Sequence, residues 1–511
     1  MSESPETYPD LSMMRWISEG RCEHGDKSLL ATADACYTYA EVNDWARALA
    51  AYFGEDLGLS KGSTIVLASS NVIQVPVILA AAQLLDVRVA LFSTTAGELE
   101  FRNGIKLLCP QLIISSDKEQ LAIAKRVVPS ALIMRLDGSC AAVLSVDEVM
   151  RRTCPETLSF PHASADAEIV VFTSGSTGTP KAIVNRASSF ALNGIALRGW
   201  LELTSGDVIF LPVPLIHVFG LVGMYATLAA QATFVTAPRY DAAQACALIE
   251  SLGVTVHLGV PTNFVRELKE NEDGAWDFES LQVGLVAGAG CPPSVLEEFE
   301  KRYDCRIMQS YGMSETAATL TVTPLDFDVE ERIATVGFCI DGAEAMIDPD
   351  NGELLCKSAS MMEGVLQADG SIVIDLDDGW FRTGDVGTID ERGLIAITGR
   401  LKNVIVRGGI NIFPSEIEAV YEQCADVAQS AAFALDDDEL GQRICLAVVL
   451  GERSEAKQEE LRAFAKGRMD KCKIPDVVVA VDSFPYLDNG KVDRAALERL
   501  VHERLSAQSA R

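Results

Sequence analysis

The chain is 511 residues long and 48% hydrophobic, with 73 acidic against 43 basic side chains and a formal net charge of -30. That length supports two or more domains with large cores, and that hydrophobic share excludes a disordered chain. The acidic excess argues against nucleic acid or an anionic membrane as partner, and any nucleotide site must be basic locally.

The 13 cysteines include no Cys-x-x-Cys pair and the five histidines are ungrouped, which reads as reduced thiols and no zinc site. The acidic start Met1-Ser-Glu-Ser-Pro-Glu has no apolar core, so no signal peptide is expected and the location reads as cytoplasmic. Helix and strand patterns alternate from about Ser28 to Ile114: Tyr39 to Tyr52 as a helix, Thr64–Ala68 as a strand, Val75–Leu85 as a helix, then Val87–Phe92 and Leu112–Ser115 as strands. This alternation predicts a parallel sheet in an α/β layer.

The apolar run Ile169 to Phe172 then leads into Thr173-Ser-Gly-Ser-Thr-Gly-Thr-Pro-Lys181. Glycines let backbone N–H groups approach an anion, and five hydroxyls and an ammonium add donors, so the stretch reads as a phosphate cradle rather than a plain polar turn. It is not a Walker A loop, because Pro180 stands where that motif needs its second glycine, and the chain has no Gly-x-Ser-x-Gly elbow. From Val208 to Pro238 there is no formal charge, but Pro212, Pro214, His217 and Gln231 interrupt the run, which reads as a buried strand–loop–helix and not a membrane span. Val256 to Pro261 reads as strand then turn, with a helix from about Thr262.

Leu285-Val-Ala-Gly-Ala-Gly290 is a strand entering a turn of small residues, against which a flat adenine could lie. Cys291 has no assigned role, and Tyr311-Gly-Met-Ser-Glu-Thr316 reads as a capped turn. Residues from about Glu330 to Ile397 are strand-rich. Within them, Thr-Gly-Asp385 presents a carboxylate suited to two hydroxyls, or to an ordinary Asx turn. Ser415 is a plausible helix cap, Asp436 to Glu439 a solvated turn, and Lys466, Arg468, Lys471 and Lys473 a local basic stretch. Asp488-Asn-Gly-Lys491 is a tight turn presenting a lysine.

In their order, the phosphate loop, Tyr-Gly-x-Ser-Glu, Thr-Gly-Asp, Gly-Arg-x-Lys, Gly-Gly and Gly-Lys resemble the adenylate-forming superfamily: acyl- and aryl-CoA ligases, stand-alone adenylation enzymes, adenylation domains of peptide synthetases, and luciferases. The resemblance is loose before about residue 165, where Phe92-Ser-Thr-Thr-Ala-Gly97 lacks the family's proline, and specific afterwards. Pro214-Leu-Ile-His-Val-Phe-Gly220 is similar to the His-x-x-Gly motif of the acyl- and aryl-CoA ligases, the nearest branch in motifs, and no aspartate-bearing motif for an α-amino group stands there.

The resemblance implies an α/β fold: a large N-terminal domain of stacked αβ layers (1–399) with a β-barrel subdomain (about 330–399), a hinge at 400–402, and a small mobile α+β C-terminal domain (403–511). It implies ATP, Mg²⁺ and coenzyme A, or a phosphopantetheine arm on a separate carrier protein, acting with a small carboxylic acid. No carrier-protein domain is expected after Lys491. ATP would be held by Thr173, Ser174, Gly175, Ser176, Thr177, Gly178, Lys181, Gly288, Ala289, Gly290, Tyr311, Gly312, Ser314, Asp385, Arg400 and Lys491. Glu315 would carry Mg²⁺, and Lys491, His217, Glu315 and Thr173 would be the catalytic set. Lys402 would be the hinge, His217, Gly408 and Gly409 would line the thiol tunnel, and Asn263, Phe264, Ala287, Gly288, Gly312 and Met313 would form an acid pocket for a largely apolar substrate. A non-catalytic nucleotide-binding protein is the reading from another class.

Overall fold

The structure, a computed structural model, describes residues 11–138, 143–152, 163–173, 181–407, 410–437, 440–451, 458–486 and 492–509. It divides into two compact units: residues 1–333 with 337–344 and 357–376, and residues 334–336 and 345–356 with 377–511.

The first unit holds two large sheets. One has eight strands in the order 372–373, 364–366, 181–186, 168–173, 88–92, 64–68, 112–115, 132–135. Its five strands from Glu168–Thr173 outward to Leu132–Arg135 run parallel, as the early alternation of helix and strand predicts. The other has nine, in the order 338–339, 321–322, 306–311, 283–287, 256–259, 208–210, 233–235, 28–31, 36–38. Its central strands are parallel too. Both sheets are rich in Val, Ile and Leu without alternation, the composition of strands covered on both faces.

Helix Tyr39–Ala51 starts at a capping box, in which Glu41 N–H donates to Thr38 Oγ1 at 3.1 Å and Thr38 N–H to Glu41 Oε2 at 2.7 Å. The uncharged stretch after Val208 is strand Val208–Phe210, helix Val218–Ala230 and strand Thr233–Val235. That helix is apolar on every side and buried from Phe219 to Ala230, packed on helix Ala187–Trp200. Among the described residues, no helix is long and apolar enough to cross a membrane.

The strand-rich segment opens on a helix, Val329–Ala334. Its strands then divide among three sheets. Phe338–Cys339 joins the nine-stranded sheet, Gly364–Leu366 and Ile372–Val373 join the eight-stranded one, and the rest form a four-stranded sheet in the order 343–347, 353–358, 381–389, 395–400. Beyond residue 404, a five-stranded sheet is built on the long antiparallel pair Val427–Asp437 and Gly441–Leu450, with Val477–Ala480 added in parallel. Helix Pro414–Tyr421 corrects the expectation for Ser415: the helix is entered from Phe413, with Pro414 in its first turn, and the Ser415 hydroxyl donates to the Thr398 carbonyl instead. Proline there uses a position whose N–H has no helical acceptor. Asp436 and Asp437 are the end of a strand rather than a turn, and Glu439 lies outside the described residues.

Candidate active site

Four neighbouring parallel strands of the nine-stranded sheet, Arg306–Tyr311, Val283–Ala287, Val256–Gly259 and Val208–Phe210, end at one edge. The chain leaves them through Tyr311 to Met313, Gly288 to Gly290, Val260 to Asn263, and the loop to His217. Sites in open parallel sheets form outside the carboxyl ends of the strands, where main-chain donors and loops converge. The topology therefore brings together four groups of residues that lie far apart in sequence.

Each group is held by identifiable contacts. His217 is the residue before helix Val218–Ala230, its N–H bonded to the Pro214 carbonyl at 3.0 Å. Three residues on, a Cβ at Gly220 would lie 2.4 Å from that same Pro214 oxygen, which gives the glycine of the His-x-x-Gly pattern its steric reason. Asn71, missed in the sequence reading, fixes this loop from the other sheet. Its Oδ1 accepts the Leu215 N–H at 3.0 Å, and its Nδ2 donates to the Val213 carbonyl at 3.4 Å and to the Thr236 hydroxyl. An asparagine just after a strand reads as a turn residue, so only its burial, at 3% exposure, reveals the role.

Asn263 lies in the first turn of helix Pro261–Glu270, where its Oδ1 accepts the Val260 N–H at 2.9 Å. Phe264 is 1% exposed, stacked on His257 at 4.6 Å and edge-on to Phe299, so its ring packs in the core beneath the strand ends. Ala287 ends its strand buried, while Gly288, at φ 84°, Ala289 and Gly290 are exposed.

Tyr311, Gly312, Met313, Ser314 and Glu315 are all partly exposed. The turn behind them carries Ala317 at φ 50° and Ala318 at φ 96°, the left-handed region that costs an alanine about 1 kcal/mol or more. Asn193, the second residue that the motif reading missed, holds this strained turn. Its Nδ2 donates to the Thr316 and Thr319 carbonyls at 3.0 and 2.8 Å, and its Oδ1 accepts the Thr319 N–H at 3.3 Å.

Thr173 and Lys181 face each other as the last pair of an antiparallel hairpin, with Lys181 exposed. The intervening Ser174, Gly175, Ser176, Thr177 and Gly178 lie outside the described residues. One short segment ties this hairpin to the Glu315 turn: Met362 N–H donates to the Glu315 carbonyl at 2.8 Å, and Glu363 N–H to the Val184 carbonyl at 2.8 Å.

No group of three or more His, Cys, Asp or Glu able to hold a metal ion occurs among the described residues. A single half-exposed carboxylate, Glu315, suits Mg²⁺, which takes one or two protein oxygens and completes its shell with phosphate oxygens and water.

In the second unit, Asp385 and Arg400 are register partners on adjacent strands. Arg400 Nε lies 2.6 Å from Asp385 Oδ1 and a guanidinium nitrogen 3.4 Å from Oδ2. Asp385 is 2% exposed and Arg400 about half exposed, so a buried carboxylate is neutralised by a cation that reaches solvent. Lys402 is exposed in the single turn Leu401–Asn403. Gly408, Gly409 and Lys491 lie outside the described residues. Of the basic stretch, Lys473 pairs with Glu416 at 2.9 Å, which holds its ammonium above the usual range, and Arg468 covers the Phe464 ring at 4.1 Å.

The chain belongs to the AMP-binding enzyme family: the AMP-binding enzyme model matches residues 19–366 and the AMP-binding enzyme C-terminal domain model matches residues 416–491. It is 30% identical over 352 residues to a putative acyl-CoA synthetase, YngI, of Bacillus subtilis, covering 66% of this chain and 64% of that protein. It is 26% identical over 491 residues to the 2-succinylbenzoate–CoA ligase of Bacillus licheniformis, covering 94% and 98%. ATP-bound MatB from Rhodopseudomonas palustris superposes with a TM-score of 0.86 at 23% identity, over 96% of this chain and 99% of that one. The o-succinylbenzoate CoA synthetase of Bacillus subtilis, in complex with ATP and magnesium, gives 0.81 at 23% identity, over 94% and 99%. These likenesses fix the fold as mixed α/β with a large N-terminal and a smaller C-terminal domain.

Proposed function

We propose that the protein is an ATP-dependent acid–CoA ligase. It activates a small carboxylic acid as acyl-AMP with release of pyrophosphate, then transfers the acyl group to the coenzyme A thiol. The observation that carries this reading is the single edge at which Tyr311 to Met313, Gly288 to Gly290, Val260 to Asn263 and the His217 loop leave four parallel strands, with Glu315 bonded through 362–363 to the phosphate-loop hairpin. Similarity to two proteins named as a CoA synthetase and a CoA ligase supports coenzyme A as the acceptor.

In the first step, a carboxylate oxygen of the acid forms a bond to the α-phosphorus of ATP, and the bond to the bridging oxygen of pyrophosphate breaks. The carboxylate is already ionised, so no general base is required, and the work is positioning and charge neutralisation. Lys181, the donors of the Thr173 loop and Lys491 offset the repulsion between two anions. Bound at Glu315, Mg²⁺ supplies positive charge to the polyphosphate. Asp385 accepts from the ribose hydroxyls, and the Arg400 guanidinium pairs with it at 2.6 Å. In the second step, the thiol gives its proton to solvent as its sulfur bonds to the acyl carbon, and AMP leaves with the electrons of the anhydride bond; the family resemblance assigns His217 and Gly409 to the thiol's path.

ATP–pyrophosphate exchange across a panel of carboxylic acids tests the first step. Exchange that depends on one class of acid is expected, and none with any acid overturns the reading. Free coenzyme A and a holo carrier protein, offered side by side, test the acceptor. The basic stretch stands where the coenzyme A phosphates would lie in the family, but its Lys473 and Arg468 already have partners within the chain, so a bare phosphopantetheine arm is the specific second reading, and faster acylation of the carrier protein would replace the first.

A further inference from the structure

The proposed function asks Asp385 to meet the ribose hydroxyls from a fixed position. Its strand, Phe381–Ile389, loses register with the neighbouring strand Glu353–Ser358 at that point. Glu353 pairs with Val386 and Leu355 with Arg382, so Thr383, Gly384 and Asp385 all stand opposite Leu354. Such a bulge takes main-chain groups off the ladder and re-aims a side chain. Gly384 adopts φ 72°, in the left-handed region open to glycine. The Thr383 hydroxyl accepts the Asp385 N–H at 3.1 Å and donates to the Leu354 carbonyl at 2.6 Å.

The Gly384 N–H finds its acceptor on a side chain, Glu353 Oε1, at 2.8 Å. Glu353 is 4% exposed, and its other oxygen, Oε2, accepts from Arg382 at 2.6 Å. A buried carboxylate is costly unless it is both paired and hydrogen-bonded, and this one is. Arg382 is oriented in turn by Asp348 and Asp377, each at 2.8 Å. The Asp350 N–H and the Arg382 guanidinium hold the Asp348 carboxyl below the usual carboxylate range, so it stays an anion for Arg382 at neutral pH. Arg400 thus meets Asp385 from one neighbouring strand, while Glu353 and Arg382 fix the bulge from the other side.

We propose that Glu353, held by Arg382, is a positioning residue that aims Asp385 at the ribose, and that this clamp sets how strongly the protein distinguishes ATP from its deoxyribose analogues. This rests on the acid–CoA ligase reading and deepens its nucleotide recognition. The clamp requires a carboxylate. Both of its ends must accept, and an amide of the same shape offers one acceptor only. Bonds to a charged donor are the stronger ones, so the Arg382 guanidinium would keep that oxygen. The Gly384 N–H would then face the amide nitrogen, a second donor. The bulge must shift to part them, and Asp385 shifts with it.

The test measures pyrophosphate exchange by the full chain with ATP, 2′-deoxy-ATP and 3′-deoxy-ATP, using the acid that supports the fastest exchange. The wild-type protein is expected to favour ATP over at least one analogue by about ten- to a hundredfold in kcat/KM, as for a hydroxyl bonded to a charged acceptor. Glu353→Gln should shrink that preference to about threefold or less, by raising the KM for ATP with little change in kcat or in the KM for the analogue. Arg382→Met, made at a half-exposed side chain, should shrink it in the same direction, and carries the test if Glu353→Gln does not fold. A glutamate that only supports the fold would slow exchange with all three nucleotides alike. That result, or a preference that survives both substitutions, overturns the inference. Wild-type exchange indifferent to both hydroxyls also overturns it and leaves the ligase reading standing, whereas no exchange with any acid overturns both.

Discussion

Gly312 stands where the Tyr311–Glu315 turn passes closest to its own return. A Cβ there would lie 1.6 Å from the Ala318 carbonyl oxygen and 2.9 Å from the Leu320 nitrogen, both main-chain atoms with no flexible end to move aside. The left-handed Ala317 and Ala318 already hold that return in a strained conformation, clamped by Asn193. Gly312→Ala must therefore open the turn. Overpacking against backbone costs about 1–3 kcal/mol, to be read in urea unfolding. The same displacement moves Ser314 and Glu315, so pyrophosphate exchange should fall about a hundredfold, since a 1 Å misplacement costs that much. Full exchange in Gly312→Ala would show that the turn adapts. The Tyr-Gly-x-Ser-Glu pattern was legible as a motif, but the reason for its glycine was not. The atom that excludes a side chain belongs to Ala318, and nothing in a run of two alanines announces positive φ.

Among elements, the loop from Leu211 to His217 depends on a contact made from the other sheet. Asn71 serves Leu215, Val213 and Thr236 at once, and all three of its side-chain bonds span more than 140 residues of sequence. Asn71→Leu keeps the volume and leaves the buried Leu215 N–H without its acceptor, a loss of about 1–3 kcal/mol. The loop carries His217, which the proposed function puts on the thiol side of the site. Asn71→Leu should therefore slow thioester formation from supplied acyl-adenylate more than it slows pyrophosphate exchange, and equal slowing of both would deny the clamp a specific role.

The same long range explains what could be read in advance. The strands at Thr64–Ala68 and Leu112–Ser115 were legible to the residue, because an apolar run between turn residues is a local signal. Their partners were not. Nothing local in Gly364–Leu366 says that it pairs with Ile183 and Val184 beside the phosphate loop, while Glu353–Ser358, a few residues earlier, pairs with Phe381–Ile389. Ser415 was misread as a cap for a related reason: its acceptor, the Thr398 carbonyl, lies on a strand 17 residues back.

For the molecule as a whole, the proposed function asks one site to serve two reactions that need different neighbours. Lys491 is wanted while two anions join, and would obstruct a thiol arriving at the same carbon. Both Lys491 and Gly409 belong to the residues after Lys402, in the proposed mobile domain. In the proposed two-step reaction, a rotation about that position would exchange one for the other, with the φ/ψ change absorbed at a few residues. Lys491→Ala should abolish adenylation, by about a hundredfold or more in pyrophosphate exchange, yet spare thioester formation from supplied acyl-adenylate. Gly409→Leu should spare exchange and block the thiol. Lys402→Pro fixes φ near one value and removes a donor, so it should trap whichever arrangement that geometry permits and suppress only the other half-reaction. The two half-reactions are assayed separately, so loss of folding, which would lower both, is distinguished from loss of one arrangement. If Lys491→Ala and Gly409→Leu depress the same half-reaction, a single static arrangement performs both steps and the exchange of neighbours does not occur.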